Sequence, residues 1–388
     1  MAACGVFQMA VGGPCIGGVK SSLPMKLSAR LPAWSIAFPV VAWLILALAW
    51  TGQGRAWGPL FELWVVGGLV LGILAAVFHA EVVAHRVGEP YGTLVLALAV
   101  TAIEVALIVS LMIAGGEAAS GLARDAVFAA VMIILNGMVG ICLLSGGRRH
   151  HEQSFGLYGV SAALATLAAI SVLTLVLPNH TTSTPGPHYS SSQLSFIAVV
   201  SLVLYGTFVM VQTVRHRDYF LPAESDADES THTPPPSRKT AGLSAALMLA
   251  CLASVVLLAK MLSPTLEAVV AGMGAPKALV GIIIAAVVLL PESIAAYQAA
   301  RANRLQTSLN LALGSALASI GLTIPAVALV SLITGWNLTL GIDAKSTVLL
   351  VLSLLVASLS LGTGRTTVMQ GAIHLVLFAV YLFTAIVP

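Results

Sequence analysis

The sequence predicts an all-α integral membrane protein of about eleven transmembrane helices, one leading helix followed by two inverted five-helix repeats. Three observations carry that fold class. The 388 residues are 58% hydrophobic and 9% charged, whereas a soluble domain carries about 25% charged residues. The apolar runs are about 20 residues long, which suits membrane-crossing helices and not barrel strands. A polar linker divides the chain into two parts, and each part holds one isolated carboxylate in an apolar segment, Glu104 and Glu292. This composition excludes a large soluble domain. The net charge of +3 says little about partners, because its placement matters more than its size.

Taken in order, residues 1–32 are rich in small residues, with Lys20, Lys26 and Arg30, and read as a cytoplasmic N-terminal extension; Met25 is an alternative start. The leading helix covers 33–51. The first repeat, 60–214, holds spans at 60–80, 92–114, 126–145, 157–177 and 194–214. The turn signal Glu89-Pro90-Tyr-Gly precedes the second of these, and Leu177-Pro178-Asn179 closes the fourth. The linker, 215–241, contains the acidic run Glu224-Ser-Asp226-Ala-Asp228-Glu229 and Pro234-Pro-Pro. It reads as a solvated cytoplasmic segment, since the run lacks the turn Gly and terminal Glu of a calcium-binding EF-hand. The second repeat, 242–388, holds spans at 242–262, 278–298, 309–333, 346–361 and 369–387.

With this span set, 13 of the 18 Lys and Arg fall on the side of the N-terminus, Arg86, Arg148, Arg149, Arg217, Arg301 and Arg365 among them. The other side receives Arg55, Arg124, Lys260, Lys277 and Lys345. The positive-inside rule then places the N-terminus in the cytoplasm and the C-terminus outside. Five spans is an odd number, so the two repeats insert with opposite orientation. Glu104 and Glu292 fall in the second span of each repeat, Asn136-Gly137 and Gly314-Ser315-Ala-Leu-Ala-Ser319 in the third. Inverted repeats with acid-bearing, interrupted helices are a transporter pattern, with the acids meeting near the midplane.

A carboxylate deep in a membrane segment costs roughly 2.5–3.5 kcal/mol on insertion scales and is functional by default. Pro291, just before Glu292, removes a backbone donor and frees a carbonyl one turn earlier. The stretch 281–296 therefore reads as a broken helix holding an acid at an ion site, and 92–109 around Glu104 as its counterpart. The competing reading, an acid paired to a basic residue for packing, finds only Lys260 as an obvious partner. Burial raises a carboxylate's pKa and a bound cation lowers it, so two acids held close bind a cation or protons, not both. Asn136, Ser315 and Ser319 are candidate ligands; Ser315 and Ser319, four apart, share a helix face that Asn310 and Thr323 extend. Small polar residues also serve helix packing, and spacing alone leaves both roles open.

His79, Glu81, His85 and Glu89 gather at the inner end of the second span and form no zinc motif. A solvated helix end is one reading; proton uptake or pH sensing through His79, Glu81 and His85 is the other. His150 and His151 beside Arg148 and Arg149 read as surface anchors, and Trp43, Trp50, Trp57 and Trp64 as interface residues. Cys4, Cys15, Cys142 and Cys251 have no metal or redox spacing. No cofactor site and no nucleic-acid partner is read; the partners are the bilayer and the ions, and the oligomeric state is left open. The motifs of intramembrane proteases and prenyl transferases are absent. A passive cation channel stays open as an alternative class.

Several stretches together resemble the calcium/cation antiporter superfamily, and within it the bacterial calcium (sodium, potassium)/proton antiporter branch. They are Gly88-Glu-Pro-Tyr-Gly-Thr93 with Thr101-Ala-Ile-Glu-Val-Ala-Leu-Ile108, the segment 123–132 with Asn136-Gly137, Arg149-His-His-Glu-Gln-Ser-Phe155, Pro291-Glu-Ser293, and the segment 309–323. The resemblance covers nearly all of 33–388. It implies an inner-membrane exchanger in which Glu104 and Glu292 bind the cation and exchange it for protons, with Asn136, Ser315 and Ser319 as the polar positions of the third helices. The implied substrate is cytoplasmic Ca2+, with Na+ or K+ as further candidates; the alternative is a Na+(K+)/H+ antiporter with little Ca2+ activity. One departure bears on this. The wider superfamily has Gly-Asn-x-x-Glu before each acid, and the matching positions here are Val100-Thr101 and Val288-Leu289. The amide ligand is missing from both repeats, leaving Thr101, carbonyls near Pro291 and water to supply oxygens to an ion that prefers six to eight.

Overall fold

Backbone in lipid has no water to bond to, so each apolar run closes its own hydrogen bonds and the chain folds as helix after helix. The structure, a computed structural model, describes residues 31–52, 57–88, 91–221, 235–274, 276 and 278–387. Most of the N-terminal extension, Arg55, the Glu89-Pro90 turn, the acidic run at 224–229 and Lys277 lie outside the described residues. The helices are α1 (Ala33–Trp50), α2 (Pro59–Val87), α3 (Tyr91–Gly115), α4 (Leu122–His150), α5 (Leu157–His180), α6 (Ser191–Arg215), α7 (Arg238–Gly272), α8 (Ala278–Val288), α9 (Leu290–Arg301), α10 (Leu305–Thr334), α11 (Ala344–Leu361) and α12 (Val368–Ile386). Ten of them are long and apolar enough to cross a membrane, and α8 with α9, bent by 55°, make an eleventh span. The fold is the multi-span helical one that the sequence predicts. A two-residue antiparallel pair, β1 (Gln153–Ser154) with β2 (Arg365–Thr366), adds a small exception to its all-α character.

Local chemistry sets several boundaries. Ser190 with Gln193 and Thr367 with Gln370 form capping boxes that open α6 and α12, and the Asp343 carboxylate caps α11 by accepting from Ser346 N at 2.6 Å. Close helix contacts need glycine. A Cβ on Gly281 of α8 would sit 3.0 Å from the α4 backbone at Ala126.

The structure departs from the sequence expectation at four places. Helix α2 continues to Val87, past the expected end near 80, so His79 lies inside the helix, fully buried, and not at a solvated end. Helix α7 is 35 residues long, extending well beyond 242–262 at both ends. Helix α3 runs unbroken through Glu104, because it has no proline to interrupt it. Trp43 turns toward the protein: its Nε1 donates to Ala250 O on α7, tying α1 to that helix, while Trp50, Trp57 and Trp64 are exposed.

The packing is reciprocal between the halves. The first helices of the two repeats, α2 and α7, pack on each other. The acid helix α3 packs on α10, and its counterpart α8–α9 packs on α4. The fifth helices cross over too, α6 onto α10 and α12 onto α4. Two apolar cores result. One joins α1, α2 and α7 through residues such as Ile45, Ile73 and Leu258; the other joins α4, α5, α6, α10 and α11. Helix α3 faces both, with Ile103 and Leu107 in the first core and Ile108 and Met112 in the second. So does α8, through Ile284 and Ile282.

The loops sort onto two faces. On one face Gln153 Nε2 donates to Ala300 O (2.9 Å), Gly156 N to Gln306 Oε1 (2.6 Å), Asn310 Nδ2 to Phe220 O (2.6 Å) and Arg86 Nη1 to Pro236 O (3.2 Å). On the other, Arg124 Nη1 donates to Gly341 O (3.2 Å), Asn179 Nδ2 to Ile342 O (2.6 Å) and Thr339 N to Ser120 O (3.2 Å), with a bridge between His188 and Thr339. These groupings match the alternation of eleven spans, and the first face is the one rich in Lys and Arg.

Candidate functional site

The break between α8 and α9 fixes Glu292. Leu289 N donates to Ala285 O and closes α8, while Ser293 N and Ser293 Oγ both donate to Leu289 O and open α9. Pro291 has no N–H to return to Val287, so the helix axis turns there. Glu292 is left in the first turn of α9, where helix N-terminal N–H groups favour a negative charge. Its Oε2 is buried and has no hydrogen-bond partner among the described residues.

Glu104, on α3, is 7% exposed. Ser319 Oγ on α10 donates to its Oε1 at 2.5 Å. An acid of the first repeat is thus held by a hydroxyl of the second. Neither Glu104 nor Glu292 is ion-paired to Lys or Arg among the described residues, and Lys260 is exposed on α7. The packing reading therefore finds no cation for them.

Both acids line one cavity of about 650 Å3. Thr101, Ser315, Glu81 and Asn310 line it too, as do Val100, Val288 and Leu289. The last three, with Thr101, are the positions at which the resemblance marks a missing Gly-Asn, so the absent amides are absent from the cavity wall itself. Trp34, Phe78, Arg217, Phe220 and Leu221, from the start of α1, from α2 and from the segment after α6, line it as well. The cavity therefore approaches the Lys- and Arg-rich face.

The remaining candidates divide. Of the proton-uptake group only Glu81 reaches the cavity. His79 Nε2 lies 2.9 Å from Ser35 O on α1, and His85 is exposed. Asn136 is not brought to the acids. It sits in a π turn of α4, Ile133–Met138, fully buried, with Nδ2 donating to Ser353 Oγ on α11 at 2.8 Å and Oδ1 3.4 Å from His374 Nδ1 on α12. A π turn inserts one residue and rotates the rest of the helix by about 100°, so counting from Glu104 to Asn136 gives the helix but not the face. The sequence reading passed over Gln212 and Thr213, which line the cavity from the π turn ending α6, and His374. A polar residue closing an apolar span was the available signal for the first two.

The sodium/calcium exchanger protein family matches residues 57–214 and 243–387. The Sinorhizobium fredii protein y4hA is 48% identical over 371 residues, spanning 95% of this chain and 100% of that one. The Escherichia coli sodium-potassium/proton antiporter ChaA is 37% identical over 352 residues, 90% of this chain and 95% of that one. Among solved structures, native YfkE superposes with a TM-score of 0.68 at 17% identity, covering 90% of this chain and 100% of its own, a likeness of fold. The family match takes in both repeats and the helices that carry both cavity acids, and the chain belongs to the sodium/calcium exchanger protein family.

Proposed function

We propose that this multi-pass membrane protein is a secondary active antiporter that exchanges a cytoplasmic cation for protons across a bacterial inner membrane, and that it is a transporter and not an enzyme. The observation that carries the reading is one cavity with Glu104 and Glu292, from opposite repeats, in its wall. A cation and protons compete for such a pair, and competition for one site is what obliges exchange. Ser319 steadies Glu104, Thr101 and Ser315 supply further oxygens, and Glu81 offers a third carboxylate in the same wall. Asn136 acts in packing in this reading, and His79 and His85 do not carry the proton.

Access alternates when the α1–α2–α7 body slides against the larger core, because α3 and α8, which face both cores, flank the acids. By the positive-inside rule the open face is cytoplasmic. The substrate is Ca2+, with Na+ and K+ as further cargo. One observation favours a second reading, Na+(K+)/H+ exchange with little Ca2+: the wall lacks both amides, a poor match to an ion that takes six to eight oxygens. ChaA, a sodium-potassium/proton antiporter, is consistent with that ranking.

The test is proton release from acid-loaded everted vesicles on adding CaCl2, NaCl or KCl singly. Release by at least one cation is expected, and their order decides between the two readings. Cation flux that ignores the proton gradient would make the protein a passive channel.

A further inference from the structure

The cavity is much larger and more apolar than an inorganic ion requires. Its volume of about 650 Å3 is that of pockets which bury small organic ligands. Two sets of rings line it. Trp34 packs against Phe38 at 5.3 Å and against Phe78 at 4.7 Å between ring centroids, on the α1–α2 side. Phe208 and Phe220, 5.8 Å apart, stand with Tyr205 on the α6 side. Two of these rings belong to α1, the helix outside the repeats. Among the described residues the charges in the wall are three carboxylates, Glu81, Glu104 and Glu292, and the Arg217 guanidinium. Aromatic faces attract organic cations, and carboxylates fix where the charge sits.

We propose that this cavity binds amphiphilic organic cations, quaternary or protonated amines with an aromatic body, the ammonium at Glu104 and Glu292 and the body against the rings. The proposal rests on the reading of those two acids as the cation-binding pair. Such a ligand and the inorganic cation exclude one another, so the amine blocks exchange competitively from the open face.

The probe is benzyltrimethylammonium, a fixed cation that cannot itself carry protons, titrated calorimetrically into the purified full-length protein. Its comparators are tetramethylammonium, which lacks the ring, and neopentylbenzene, its uncharged isostere. Benzyltrimethylammonium is expected to bind and to be displaced by the cation that drives exchange. Each comparator should bind about fivefold more weakly or worse, the order expected for losing one ring–cation contact. Phe38→Ala and the bulkier Phe38→Leu should weaken the probe similarly, and Glu292→Gln should abolish probe binding. No binding by the parent overturns the proposal. Equal binding of neopentylbenzene overturns it in favour of a lipid-type apolar pocket, and equal binding of tetramethylammonium removes the rings from it. If probe binding holds while no cation releases protons, the antiport reading fails and the amine site stands.

Discussion

Ser319 and Glu104 show how much a single contact is asked to do. The hydroxyl comes from α10 and the acid from α3, and the bond at 2.5 Å holds the carboxylate against the cavity wall. A hydrogen bond to a charged group contributes about 1.5–3 kcal/mol. Ser319→Ala should therefore raise the cation concentration for half-maximal proton release about tenfold, with Ser319→Thr close to the parent; an unchanged value in Ser319→Ala would remove this bond from the site. Leu289 occupies a position at which the resemblance marks a missing amide, and it lines the cavity that Glu292 also lines. Leu289→Asn adds an oxygen there and should move the vesicle ion ranking toward Ca2+ over Na+ and K+. Both acids were legible in the sequence, since a lone carboxylate in an apolar run is costly unless it binds something. Ser319 was legible through its spacing from Ser315. Asn136 was not, because composition and count name the helix a residue lies on and leave its direction to local winding.

The decisive element is the broken span. Pro291 made the break between α8 and α9 readable in advance, and the 55° bend sits at Leu289, two residues before it. The same reasoning carried over to α3 by repeat symmetry gave an interruption that is not there; without a proline the helix continues through Glu104. The π turns in α4, α5 and α6 left no such mark, because no residue type specifies a π turn as proline specifies a break. Pro291→Ala returns an N–H to Val287 and favours a straight α8–α9, which should move Glu292 away from the pair. Proton release should fall severalfold, the order of one hydrogen bond gained at the wrong place, while the amount of protein in the membrane stays the same. Parent-like release would mean that the bend is held by packing alone.

At the scale of the molecule, the topology was the most legible feature. Runs of membrane length and the sorting of Lys and Arg gave eleven spans, and loop hydrogen bonds group the described loops onto the same two faces. The cavity was not legible, because its wall is assembled from α1, α2, α3, α6, the α8–α9 span and α10, and no sequence window holds more than a fraction of it. Leu311 lines this cavity. A cysteine in its place, with Cys4, Cys15, Cys142 and Cys251 replaced, should react with a membrane-impermeant thiol reagent from the cytoplasmic side, more slowly once the transported cation is present. Reaction from the opposite side alone would invert the orientation of the protein in the membrane.

The central claim is that one pair of carboxylates binds either the cation or the protons. It stands or falls on cation-driven proton release in everted vesicles containing Glu104→Gln or Glu292→Gln, beside the parent and at matched protein levels. Each variant should lose release to the background of empty vesicles, because glutamine keeps the shape of the side chain but can neither ionise nor give up a proton. Normal exchange by either variant would contradict the claim and make that acid structural.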